Sequence, residues 1–255
     1  MRCHIAFLGI DGAGKSTLAS ALATRLRQEG ERVRLVSLKD YLRADSDVPL
    51  LRTVYRSALQ AAYAGARTPG GDPALPLVPA DVEDPDEALG SIPVASNDPA
   101  SILAAGLLGV SAELLLHQLV VAPALAGGEV LVQDGHGLKT AVKAALIAEA
   151  AGGDGTRFLG YATEVLPRPT LGVFVRGEPA LASRRRLAQH GRFGFSEHLG
   201  LAGRPRATFT SFQHRAQQLY ATVAADRGWL TVDMTDRPVE ENVRAALSLI
   251  GEELA

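Results

Sequence analysis

Between Thr68 and Leu138 the chain has no lysine and no arginine. A surface built from this span would repel an anionic partner and favour a neutral or cationic one. Cysteine is almost absent too. Cys3 stands alone among 255 residues, which excludes an internal disulfide and fits a reducing compartment. No basic, apolar and small-residue series opens the chain, so no secretory signal is expected and a cytoplasmic location is. A net charge of -2 gives no general attraction to nucleic acid or to anionic membrane, so neither is an expected partner. A homodimer stays open. No repeat is evident. The apolar region from Ile102 to Leu125 is interrupted by Glu113, His117 and Pro123, which suits a buried helix better than a membrane span.

What is present alternates. Short apolar, β-branched runs at Cys3–Leu8, Arg32–Leu38, Glu129–Gln133, Thr170–Arg176 and Trp229–Asp233 read as strands of a parallel sheet covered on both faces. Helical patterns fall at Lys15–Glu29, Ile102–Ala126, Pro179–Gln189, Thr208–Arg227 and Pro238–Leu254. The expected fold is therefore α/β: a three-layer α/β/α P-loop NTPase domain around a five-stranded parallel sheet, spanning residues 1–255 as one unit. Thr68 to Pro99 holds seven of the fourteen prolines and reads as an insertion or flap.

The stretch "FLGIDGAGKSTL" carries the most specific signal. Gly9-x4-Gly14-Lys15-Ser16 satisfies the phosphate-binding loop pattern, with a strand before it and a helix after it. Glycines let backbone N–H groups turn around phosphate oxygens, and the new helix directs its positive dipole end there. Gly9, Asp11, Gly12, Ala13, Gly14, Lys15, Ser16 and Thr17 are the expected nucleotide contacts. Lys15 reaches the β- and γ-phosphates and Ser16 ligates Mg²⁺, so ATP and Mg²⁺ are the expected cofactors.

The loop "GIDGAGKST" resembles that of thymidylate kinase and its relatives in the nucleoside monophosphate kinase superfamily. The likeness continues in "PALAGGEVLVQDG", "PTLGVFVRGEPALASRRR" and "FQHRAQQLYATVAADRGWLTVDMTDRPVEENV", covering about two-thirds of the chain. The resemblance implies that Asp134 lies near Mg²⁺ and the acceptor. It also implies that Asp11 touches the acceptor side. An arginine-bearing lid over about 182–206 would bring Arg184, Arg185 and Arg192 onto the γ-phosphate. A basic solvated helix is the alternative for those arginines.

The departures concern the acceptor. Where the family has Asp-Arg-Tyr or Asp-Arg-His, this chain has Asp134-Gly135-His136. An Asp-Arg pair falls on Ala112-Glu113, and an Arg-Glu-Pro stretch on Lys39-Asp40-Tyr41. The arginines that draw an anionic acceptor to an anionic donor are missing from all three places, and only Lys39 keeps a positive charge there. Asp40, Tyr41, Glu113 and His136, with Asp11, are the candidate acceptor contacts. Asp40, just past the second strand, is the first choice for a base that takes the proton of an acceptor hydroxyl, and Asp134 is the second. A helix N-cap ahead of Tyr41-Leu42-Arg43 is the alternative for Asp40, and a strand-end Asp that caps a turn is the alternative for Asp134. These readings converge on an ATP-dependent kinase of a small hydroxyl-bearing molecule, with a cationic aminosugar as the concrete guess. Thymidylate kinase is the alternative. A P-loop GTPase switch is weaker, because no Asn-Lys-x-Asp motif is present.

Overall fold

The structure, a computed structural model, describes residues 2–42, 47–68, 70–73, 94–191, 193, 197 and 205–254. Five strands form one parallel sheet: β1 (His4–Gly9), β2 (Val33–Val36), β3 (Val130–Gln133), β4 (Leu171–Gly177) and β5 (Leu230–Met234). Their spatial order is β2-β3-β1-β4-β5. Each lies within about one or two residues of a run expected from the sequence. The three inner strands are apolar on both faces, and β1 and β3 are buried at every position. The edge strands are less enclosed: β5 has exposed Thr231 and Asp233 between its half-buried and buried positions, and β2 has Arg34 and Leu35 exposed between half-buried Val33 and buried Val36.

Nine helices flank the sheet among the described residues: α1 (Lys15–Gln28), α2 (Pro49–Ala64), α3 (Pro99–Leu116), α4 (Ala122–Ala126), α5 (Leu138–Ala150), α6 (Gly155–Val165), α7 (Pro179–His190), α8 (Pro205–Asp226) and α9 (Val239–Leu254). A π-helical turn, His117–Val121, joins α3 to α4. It divides the helix expected over 102–126. The run Pro99–Ala126 is long and apolar enough to cross a membrane, and 44% of its most apolar window is buried inside the fold. It packs against α2 and α5. Helices α2, α5 and α6 have no counterpart in the sequence reading, and α5 matters most for the site. Much of the expected 68–99 insertion, residues 74–93, lies outside the described residues. Residues 192, 194–196 and 198–204 of the expected lid do as well.

A parallel sheet puts all its carboxyl ends on one edge, and the crevice there is the usual ligand position. The loops after β1, β2 and β3, which carry Asp11, Asp40 and Asp134, therefore open on the same side as the ends of β4 and β5.

Candidate active site

The P-loop leaves β1 at Gly9, whose φ is 152° and whose Cβ position lies 2.3 Å from the Val175 carbonyl oxygen. Gly12 has φ 76°, and a Cβ there would meet the Ala182 carbonyl oxygen at 2.6 Å. Any side chain at either place would push the loop off its support. Helix α1 begins after Gly14, which has no side chain to cap the first-turn N–H groups of Lys15, Ser16 and Thr17. Ala13 is buried beneath the loop, while Ser16 and Thr17 are exposed. Lys15 is buried, and its Nζ donates to the Ile10 carbonyl at 2.6 Å. Burial, with Lys139 next, lowers its pKa to about 7 against the opposing pull of Asp11 and Asp134. Uncapped N–H groups, a glycine cradle and an inward lysine fit a polyphosphate.

Asp11 is the most heavily engaged residue of the loop. Lys139 Nζ stands 2.7 Å from its Oδ1 and Lys143 Nζ 2.5 Å from its Oδ2. Gln213 on α8 braces it twice, accepting from the Asp11 N–H at 3.2 Å and donating to Oδ2 at 3.3 Å. Burial alone would raise the Asp11 pKa, but Lys139, Lys143 and Lys15 outweigh it and hold the carboxyl well below the usual range. The two lysines respond differently to the same carboxylate. Lys139 is raised, since Asp11 overcomes its burial, while the more enclosed Lys143 is lowered by burial.

Lys139 and Lys143 were not singled out in the sequence, yet they bear on its central charge argument. The cation-free span ends at Leu138, one residue before Lys139. Two of the described acids within the span, Glu129 and Asp98, are committed elsewhere. Glu129 pairs with Arg34 through two bonds of 2.9 Å beside the amino end of β3. Asp98 caps α3, accepting from Ala100 and Ser101 N–H groups. The P-loop therefore faces cations. The signal that could have found them is the four-residue spacing of the two lysines, which puts both on one helix face.

Asp134 ends β3, half-buried, close enough to Lys15 to stabilise its charge. Asp40 occupies a 3₁₀ turn, Leu38–Leu42, where its Oδ2 accepts from the Ser37 N–H at 2.9 Å. The Lys39 N–H approaches Ser37 Oγ at 3.4 Å in return. The Asp40 N–H also donates to the Ser37 carbonyl at 3.1 Å, so Asp40 has a turn-closing role. Tyr41 is half-buried and packs on the apolar cluster of Val36, Leu42, Leu51 and Leu116, with burial raising its pKa.

Glu113 and His136 depart from their expected places on an acceptor surface. Glu113 is 4% exposed on α3, lodged against Gly137, where a Cβ would come 2.5 Å from its Cγ. Its Oε1 accepts from Gln133 Nε2 at 2.6 Å, and Gln133 Oε1 accepts from His4 Nε2 at 2.8 Å. A further bond comes from the Gly137 backbone. Its Oε2 is enclosed without a partner among the described residues. Burial pushes its pKa up to about 7 despite those bonds. His136 turns its ring into the core, edge-on to Trp229 at 5.3 Å. Its Nε2 donates to the Pro167 carbonyl at 2.9 Å, and its Nδ1 accepts from the Leu138 N–H at 3.2 Å. Burial lowers its pKa to about 3. Both ring nitrogens are used in holding the β3–α5 turn, so neither is left for an acceptor.

The three consecutive arginines divide. Arg184 reaches Asp236 at 3.4 Å, and Arg185 donates to the Thr235 carbonyl at 3.3 Å, both on the loop after β5. Arg186 turns the other way, 2.5 Å from Glu197. The Glu197 carbonyl accepts from Gln213 at 3.0 Å, so Arg186 joins the network around Asp11. Arg192 lies outside the described residues. Among the described residues no three His, Cys, Asp or Glu side chains cluster as a metal cage. Ser16 and Asp134 remain the groups that could hold Mg²⁺ together with nucleotide phosphates. No protein-family model and no curated protein matches the chain.

Proposed function

We propose that this protein transfers the γ-phosphoryl group of ATP to a hydroxyl of a small molecule. The observation that carries the reading is the glycine-cradled loop ahead of the uncapped first turn of α1, with Lys15 buried at its centre beside Asp134. When bound, ATP would supply the phosphoryl group and Mg²⁺ would supply neutralising charge. The N–H groups from Gly12 to Thr17 would hold phosphate oxygens. Lys15, released from the Ile10 carbonyl, would stabilise charge on the transferring group. Ser16 and Asp134 would hold the metal, and Asp134 is also the carboxylate best placed to orient an acceptor hydroxyl. Asp40 supports this from the neighbouring loop by fixing the Ser37–Leu42 turn. A cationic aminosugar remains the proposed acceptor: among the described acids Glu129 is paired, Asp98 caps a helix and Glu113 is enclosed, while Asp134 stays open to the site and residues 81–87 lie outside the described ones. Lys139 and Lys143 favour a second reading, a phosphorylated acceptor such as a nucleoside monophosphate.

The test is ADP release with ATP, Mg²⁺ and a panel of nucleosides, nucleoside monophosphates, sugars and amine-bearing alcohols. Lys15→Ala should cut turnover by about 10²–10³-fold or more, from loss of one charged transition-state contact, with the fold intact. Unchanged phosphoryl transfer in a folded Lys15→Ala protein would sink the kinase reading.

A further inference from the structure

We propose that Lys139 and Lys143 form a phosphate-oxygen site beside the P-loop, which Asp11 fills from within until a ligand takes its place. The inference rests on reading the P-loop as a nucleotide site, and it adds a second anion position to it.

Three of the chain's four lysines converge on Asp11. Lys139 and Lys143 each take one carboxylate oxygen, and Lys15 lies within their electrostatic reach. Nearby Glu197 adds negative charge, but it is itself paired with Arg186. Ammonium groups crowded into a buried place repel one another; Asp134 also pulls on Lys15, but Lys139 and Lys143 share the one carboxylate of Asp11. Such an arrangement has a use if a more highly charged anion replaces the carboxylate. A phosphate carries more charge and more acceptor oxygens than Asp11 does, and it would repel that side chain as it approached.

The surroundings allow the exchange. Gln213 holds the Asp11 backbone N–H as well as its side chain, so the loop stays anchored when the carboxylate lets go. Tyr220 donates to the Lys139 carbonyl at 3.2 Å and fixes the start of α5. Lys139 keeps 25% of its side chain exposed, which leaves it the approachable member of the pair. Two sources of phosphate oxygens are available: the phosphoryl group in transit, and a phosphate carried by the acceptor.

Titration calorimetry on the full chain separates them, using inorganic phosphate as the probe with and without saturating ADP and Mg²⁺, and thymidylate as a phosphate-bearing competitor. Wild type should bind phosphate, and Lys139→Gln should weaken that binding about tenfold by removing one charged hydrogen bond. Asp11→Asn removes the internal competitor and should tighten phosphate binding several-fold. A merely structural Asp11 would not produce that opposite sign. ADP affinity should stay within about twofold in Lys139→Gln. Phosphate binding only with ADP present assigns the site to the transferred group, and competition by thymidylate without ADP assigns it to the acceptor. If Lys139→Gln does not fold, the tightening in Asp11→Asn decides alone. No phosphate binding in wild type, or equal affinity in all three proteins, overturns the proposal. Failure of ADP to bind wild type would instead count against the P-loop reading, with the ADP-free arm still reporting on the lysine pair.

Discussion

Replacing Glu113 by glutamine isolates the energetic consequence of burying a carboxyl inside α3. Its pKa is raised from 4.5 to about 7, chiefly by burial. Between these values the native state holds a proton that the unfolded chain releases. Stability from this group is therefore fully present below about pH 4.5 and is lost as pH rises through 7. The gap converts to about 3 kcal/mol, at about 1.4 kcal/mol per unit. Glu113→Gln keeps the shape and keeps an oxygen for the Gln133 and Gly137 donors, while removing the titration.

The raw pH profile of wild type would not reveal this. His4 is lowered to about 4 and His136 to about 3, both by burial, and each is neutral in the fold. The unfolded chain protonates them near 6.5, so their contribution is lost as pH falls from there, opposite in sign to Glu113. The histidines are common to both proteins and cancel in the difference. Urea unfolding of wild type and Glu113→Gln at four pH values from 5 to 8 is the assay. Wild-type stability relative to the variant should fall by about 1.4 kcal/mol per unit up to about pH 7 and then level off. A difference that stays constant within about 0.5 kcal/mol from pH 5 to 8, small beside the slope expected from linkage, would refute the buried-carboxyl argument.

Two further outcomes can be stated. Gly172→Ala places a Cβ 2.0 Å from Trp229 Cδ2 in the sheet interior and should cost about 1–3 kcal/mol by overpacking, visible as a fall of several degrees in Tm. An unchanged Tm would mean that Trp229 has room to move. Asp134→Asn should lower kcat by about 10²-fold or more with altered Mg²⁺ dependence, while Asp40→Asn, whose amide oxygen can still accept from Ser37, should lower it far less. The reverse ranking in ADP release would return Asp40 to the role of base.

Legibility in the sequence followed burial geometry. The strands were readable because inner parallel strands are apolar on both faces, and a run such as "HIAFLG" has no polar face to obscure it. The P-loop was readable because backbone constraints at Gly9 and Gly12 leave almost no choice of residue. Helix α5 was not. From Ala141 to Ala148 every one of its residues is buried, so "LKTAVKAALIAEA" lacks the one-sided pattern that marks an amphipathic helix. Its neighbours α3 and α6 close over it from outside the sheet.

Charge counted along the chain and charge met at the P-loop differ for a related reason. A count along the chain gives each charge equal weight, whereas the fold sorts charges by edge and depth. Glu129, at the amino end of β3, is used up against Arg34 on the neighbouring strand. Glu113 sinks beneath the turn that Gly137 leaves open, where burial raises its pKa to about 7, so below that pH it is mostly uncharged. Lys139 and Lys143 are few in number but lie at the carboxyl edge in low dielectric, where each interaction is stronger than in water. Two lysines so placed weigh on the P-loop more than their number suggests, because depth strengthens each charge that a count along the chain treats as equal.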